Sequence, residues 1–282
     1  MYIYRIESKP DITEGKRKMP EGQQIQPTRR LWERKELILA LSVYFQLPFG
    51  RLHHRTPEVI ELGRLIERTA NSAAMRLSNF AACDPYILNS GRVGLQAGVT
   101  VCMPIWNEFA NDKERLFLEA QQIRAELMQK SIEESLNIPQ TLLVGKEKET
   151  IIKQRVNQSV FRTMILQNYE NKCAITGINV PDLLIASHII PWADSTAEQR
   201  LAPENGICLS ALYDKAFDRG LITISPDDYT ITLSSALLEY ETKDYFDTHF
   251  GSIAGNKIIM PIEHAPNRDY LAYHKENIFR GV

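Results

Sequence analysis

The chain has 282 residues, 44% of them hydrophobic and 24% charged, which is an ordinary globular composition with room for two domains. No apolar run is long enough to cross a bilayer, so no membrane-spanning segment is expected. The net charge of −2 hides a division: residues 1–100 hold 15 Lys+Arg against 10 Asp+Glu, and the remainder 18 against 25. A basic first part joined to an acidic second part hints at divided labour.

The N-terminus, MYIYRIESKPDITEGKRK, is polar and mixed in charge and does not read as a secretory signal, so a cytoplasmic location is the expectation. Residues 1–28 read as a linker with a basic cluster at Lys16, Arg17 and Lys18, and YIYRI is a candidate first strand. TRRLWERKELILALSVYFQLPF predicts a helix with Thr28 as candidate cap and an end before Pro48. RTPEVIELGRLIERT predicts a second helix, with Pro57 in its first turn and a stripe of Val59, Ile60, Leu62, Leu65 and Ile66. After a turn at 69–71, SAAMRLSNFAACDP predicts a third. Three helices with a tight second connection resemble a helix-turn-helix unit, over about 28–84. Its third helix, with Asn71, Ser72, Arg76 and Asn79, would face DNA; a plain packing bundle is the alternative.

Residues 85–113, with Gly91, Gly94 and Gly98, read as loops with short elements. DKERLFLEAQQIRAELMQKSIEES predicts one long connector helix, and Pro139 and Gly145 mark a hinge after it. The domains are therefore drawn as 1–113 helical, 114–148 connecting and 149–282 carrying the chemistry. In the last part, residues 149–170 predict a helix, CAIT and LLIASHI predict strands, and LITISPDDYTITL predicts a hairpin turning at Pro226-Asp227-Asp228. APNRDYLAYHKENIFRG predicts a short closing helix. The four cysteines, Cys83, Cys102, Cys173 and Cys208, form no CxxC pair, so a zinc knuckle is not expected and buried thiols are. Cys173 and Cys208 flank the central stretch and are candidates to lie near each other.

That stretch, IASHIIPWADSTAEQRLAPENGICLSALYDKAFDRG, carries the chemistry. Hydrolysis of a phosphodiester needs a base to deprotonate water and a cation or proton for the leaving oxygen. A hairpin followed by a helix supplies both compactly. His188 ends the apolar strand, Asn205-Gly206 turns into the strand ICLS, and ALYDKAFDRG predicts a helix with Asp214 and Asp218 one turn apart and Gly220 at its end. Each residue alone has a structural reading: a strand-end histidine, a turn, an exposed helix face. Their order and spacing together point to a site.

Residues 155–225, with FRTMILQNYENKCAITG, LLIASHIIPW and PENGICLSALYDKAFDRGLITI, resemble the HNH endonuclease family, in a branch of bacterial restriction-endonuclease-like proteins. The resemblance implies an α+β protein: a mainly helical N-terminal domain followed by a ββα-metal nuclease domain that hydrolyses DNA, with restriction or defence as the setting. By position, His188 matches the general base, Asn205 the residue that steadies the loop, and Asp214 the third position. Aspartate there favours magnesium or manganese over zinc. Two departures stand out. Ser187 occupies a place where many relatives have a metal-binding Asp or His, leaving Asp218, a hydroxyl, backbone or waters to complete the shell. A one-residue shift would also put Tyr213 in the third position. Arg200 and Arg219 are candidate phosphate contacts, and Trp192 is expected to pack under the loop. Cutting two strands with one centre per chain favours a homodimer. The alternative is a catalytically silent DNA-binding or regulatory module on the same fold.

Overall fold

The computed structural model of the protein describes residues 30–138 and 145–281. The candidate strand YIYRI, the basic cluster at 16–18, the Thr28 cap and the Pro139 breaker lie outside the described residues.

The helical part begins with α1 (Arg34–Tyr44), where every residue from Glu36 to Tyr44 is buried. Such a helix sits inside its bundle rather than on it. Its one buried carboxylate, Glu36, caps the Glu33 N–H at 2.9 Å and takes a two-pronged bond from Arg68 at 2.9 and 2.8 Å. A buried charge left without that partner would be strongly destabilising. As predicted, α2 (Pro57–Leu65) starts on proline and α3 (Ala70–Ala81) follows a tight turn, with Thr69 Oγ accepting from Ser72 N at 3.1 Å.

The region read as loops instead contains α4 (Pro85–Asn89) and α5 (Val99–Phe109). Cys102, Ile105, Trp106 and Phe109 form a buried helical stripe in α5; the preceding glycines and internal Pro104 mask it in the sequence. The predicted connector helix is broken into α6 (Lys113–Leu127) and α7 (Ile132–Ser135). Gln129 adopts a left-handed φ of 53°, and Ser131 and Glu134 cap each other at 3.0 and 3.1 Å, starting a new helix.

The second half starts from α8 (Lys146–Asn168), whose buried Ile152, Val156, Val160 and Met164 recur every fourth residue. CAIT is a turn rather than the predicted strand: Gly177 N donates to Cys173 O and Cys173 N to Ile178 O, both at 2.8 Å. Then come β1 (Leu184–His188), α9 (Ala197–Arg200), β2 (Gly206–Ser210) and α10 (Ala211–Asp218). The predicted hairpin is present as β3 (Ile222–Ile224) and β4 (Ile231–Leu233). Two short helices, α11 (Ser235–Leu238) and α12 (Phe246–His249), lead to α13 (Arg268–Asn277), the predicted closing helix. The architecture is α+β: mostly helical, with two small antiparallel sheets.

Two hydrophobic clusters fill the molecule, one built from α1 to α6 and one from α8 onward. Helix α6 serves both, with Leu116, Ala120 and Ile123 on one side and Phe117 on the other. All four cysteines are buried free thiols. Cys173 lies against β2, where its sulfur accepts from Ser210 N at 3.2 Å, and Ala174 N bonds Cys208 O at 2.7 Å. Among the described residues no helix is long and apolar enough to cross a membrane.

Candidate active site

Strands β1 and β2 pair antiparallel from Leu184↔Ser210 to His188↔Gly206, and α10 follows β2 without a loop. The hairpin is packed between α8 and α10. Gly206 makes this packing possible, and Gly220 closes the segment. A Cβ on Gly206 would lie 2.3 Å from Ile165 Cδ1 and 2.7 Å from Phe161 Cζ, so only glycine lets α8 reach the hairpin. Gly220 ends α10 at φ 64°, and a Cβ there would meet Ile278 O at 2.0 Å.

Side chains alternate along a strand, so the neighbours Ser187 and His188 face opposite ways. His188 faces α8, its ring stacked on Phe161 with centroids 3.7 Å apart and planes 12° off parallel. Trp192 meets it edge-on at 5.6 Å. Its Nε2 lies 3.2 Å from Arg200 O. A carbonyl only accepts, so Nε2 carries the proton and Nδ1 keeps a free lone pair. Burial lowers the His188 pKa to about 4, helped by the nearby Arg200 charge and opposed by the Arg200 carbonyl. The imidazole is therefore neutral at neutral pH, with its Nδ1 lone pair unprotonated.

Asn205 is fully buried and bonded along the loop that follows β1. Its Oδ1 accepts from Ile190 N at 2.9 Å, and its Nδ2 donates to Gln199 O at 3.0 Å, Ser195 Oγ at 3.3 Å and Ile190 O at 3.4 Å. It ties both ends of that loop together, including the turn that presents the Arg200 carbonyl to His188. Trp192 belongs to the same loop: Arg200 Nε donates to its carbonyl at 3.0 Å, and the guanidinium lies 5.0 Å over its ring.

On the other side stand the α10 carboxylates. The Asp214 pKa is raised by burial and by the charge of Asp218, against the nearby Ser187 hydroxyl and Lys215. Asp218 is raised by burial, against Lys215 and Arg219. The Ser187 hydroxyl is buried close to Asp214 yet meets no partner within hydrogen-bond geometry. Two carboxylates held above their usual range and an orphaned buried hydroxyl suit a hard cation, which keeps several waters and takes few protein ligands. Among the described residues no three His, Cys, Asp or Glu side chains group as a metal cage. Tyr213 points away: it is buried and donates to His249 O at 2.7 Å.

The candidate DNA contacts are scattered. Arg219 is exposed at the end of α10, beside Asp218. The Arg200 side chain is spent on the loop, as above. Arg76 lies over the Trp32 ring at 4.7 Å and bonds Gly98 O at 3.3 Å. Asn79 is buried and donates to Leu95 O at 2.7 Å and Ala97 O at 2.9 Å. Both residues hold the segment before α5 rather than facing outward, because the chain folds back over α3 there. Exposed Asn71 and Met75 remain on that helix.

Sequence reasoning missed Phe161, one helix away in the chain, and Glu204. The Glu204 carboxylate pairs with His264 at 2.7 Å and its carbonyl accepts from Asn267 N at 2.9 Å, bracing the turn that holds Asn205. Only the apolar periodicity of α8 hinted at Phe161.

Residues 173–225 match the family described as HNH endonuclease. No curated protein matches the chain. The match spans β1, the Asn205 loop, β2 and α10, the segment whose geometry places a neutral histidine and two carboxylates about one hairpin, and through it this chain carries an HNH endonuclease domain.

Proposed function

We propose that the protein is a metal-dependent DNA endonuclease. The observation that carries this reading is His188, neutral and held by Nε2 on the Arg200 carbonyl so that Nδ1 is free. His188 takes the proton of the attacking water. Asn205 holds the loop that holds His188. Asp214 and Asp218 hold a divalent cation, magnesium or manganese, with Ser187 against Asp214. When bound, that cation offsets the charge on the leaving oxygen. A phosphodiester across the open end of the hairpin would meet both sides, with Arg219 at its flank. The helices of residues 1–113 select the DNA, 114–148 connect, and 149–282 cut. A homodimer would supply two centres for two strands, and restriction of foreign DNA is the setting such an activity suits.

One observation favours a second reading, DNA binding without cleavage: three ligating side chains are not grouped among the described residues. Supercoiled plasmid incubated with magnesium, manganese or EDTA, using wild type and His188→Ala, separates the two. Metal-dependent nicking lost in the variant supports the nuclease. Retention of a shifted plasmid band with no nicking under either metal supports the silent module.

A further inference from the structure

We propose that Phe161 is the positioning residue for His188, holding the imidazole in the plane that its role demands. This rests on the reading of His188 as the base. Imidazole bonded through one nitrogen can still swing about its χ2 axis. Two flat surfaces stop it here: Phe161 face-on at 3.7 Å, and the Trp192 edge at 5.6 Å. With the ring fixed, Nε2 stays on Arg200 O and Nδ1 stays aimed away from it. Gly206, directly across the strand pair from His188, belongs to the same device. Its missing side chain leaves the slot that Ile165 and Phe161 fill together, since a Cβ there would lie 2.3 Å from Ile165 Cδ1 and 2.7 Å from Phe161 Cζ. Phe161 is fully buried on a helix bonded to the rest of the domain: the Arg162 guanidinium beside it donates to Leu184 O, at the start of β1, at 2.6 Å. The ring therefore cannot drift away from the histidine unless α8 moves off the hairpin.

The test uses Phe161→Leu and Phe161→Met in the full chain, with Met164→Leu as a volume-conserving control on the same helix, away from the Gly206 slot. Two readouts are taken. The first is the rate of plasmid nicking at saturating DNA, with DNA affinity measured separately. The second, independent of activity, is the Nε2 proton of His188 in histidine-labelled protein, slow to exchange while bonded to Arg200 O. The expected result is a rate at least tenfold lower in both Phe161 variants, unchanged affinity, and a His188 proton that exchanges fast; Met164→Leu leaves rate and proton as in wild type. A His188 proton as protected in Phe161→Leu and Phe161→Met as in wild type overturns the proposal, whether or not the protein cuts DNA. If wild type cuts nothing, the nuclease reading fails, and the proton readout still decides whether Phe161 sets the ring. If cutting depends on His188 and survives loss of Phe161, the positioning role alone is wrong.

Discussion

Replacing Asn205 separates a loop clamp from a residue that acts only on the chemistry. In Asn205→Ala, Ile190 N loses its partner at 2.9 Å inside a fully buried site, while half-buried Gln199 O loses its 3.0 Å bond but keeps Ala202 N at 3.3 Å. The two longer bonds, to Ser195 Oγ and Ile190 O, add less. An unmet buried backbone group costs about 1–3 kcal/mol, so the loss at Ile190 N sets a cost of about 1–3 kcal/mol. For a chain of this size that corresponds to a melting temperature lower by roughly 2–12 °C. Asn205→Asp keeps the acceptor for Ile190 N but turns the donor into an oxygen facing Gln199 O, and should lose most of the same stability. Urea denaturation of wild type and both variants measures the loss, with far-UV circular dichroism as the signal. Cleavage should fall in parallel, because the Arg200 carbonyl is no longer held beside His188. An Asn205→Ala protein within about 0.5 kcal/mol of wild type, the range of an inconsequential surface change, would refute the clamp.

Three further outcomes are expected. Asp214→Ala should reduce metal-dependent cleavage by on the order of a hundredfold or more and leave stability equal or slightly higher, since burial and Asp218 already press on that carboxyl; Tyr213→Phe should cost about 1 kcal/mol through the lost bond to His249 O and keep cleavage, and the reverse pattern would put Tyr213 in the site. His274 is buried against Phe217, donates by Nε2 to Phe217 O at 3.1 Å and accepts from Thr223 at 2.9 Å, and burial lowers its pKa from 6.5 to about 4. The unfolded chain takes up this proton first, so stability is complete above pH 6.5 and declines towards pH 4, by about 3 kcal/mol in full. Denaturation midpoints from pH 7.5 to 4.5 should fall less steeply in His274→Gln, and an identical slope would remove His274 from the account. Gly206→Ala should cost about 1–3 kcal/mol as Ile165 and Phe161 are pushed aside; thermal melts equal to wild type would show that α8 yields freely.

The order of the central motif was legible in the chain because its parts are local. A strand ending in His188, a turn at Asn205-Gly206 and a helix bearing Asp214 and Asp218 follow from periodicity and turn chemistry within some thirty residues. The first three helices were legible for the same reason, through Pro57 and regular apolar spacing. Helix α5 was not, because its stripe follows three glycines and contains Pro104, and the break between α6 and α7 was hidden in a run of strong helix formers.

Tertiary packing decided the roles. Arg76 and Asn79 sit on a helix face that looks outward until the segment before α5 folds back over it and uses their donors. Tyr213 and Asp214 are adjacent in sequence and a one-residue shift would exchange them, but the step of about 100° between neighbours on α10 sends the phenol towards His249 and the carboxylate towards Ser187. Phe161 is twenty-seven positions before His188, and nothing local couples them; the contact exists because Gly206 leaves room for α8. A sequence fixes which side chains have the chemistry, through the short-range periodicity that makes strands and helices. Which of them meet depends on long-range packing, where a single missing Cβ decides whether a ring reaches a histidine.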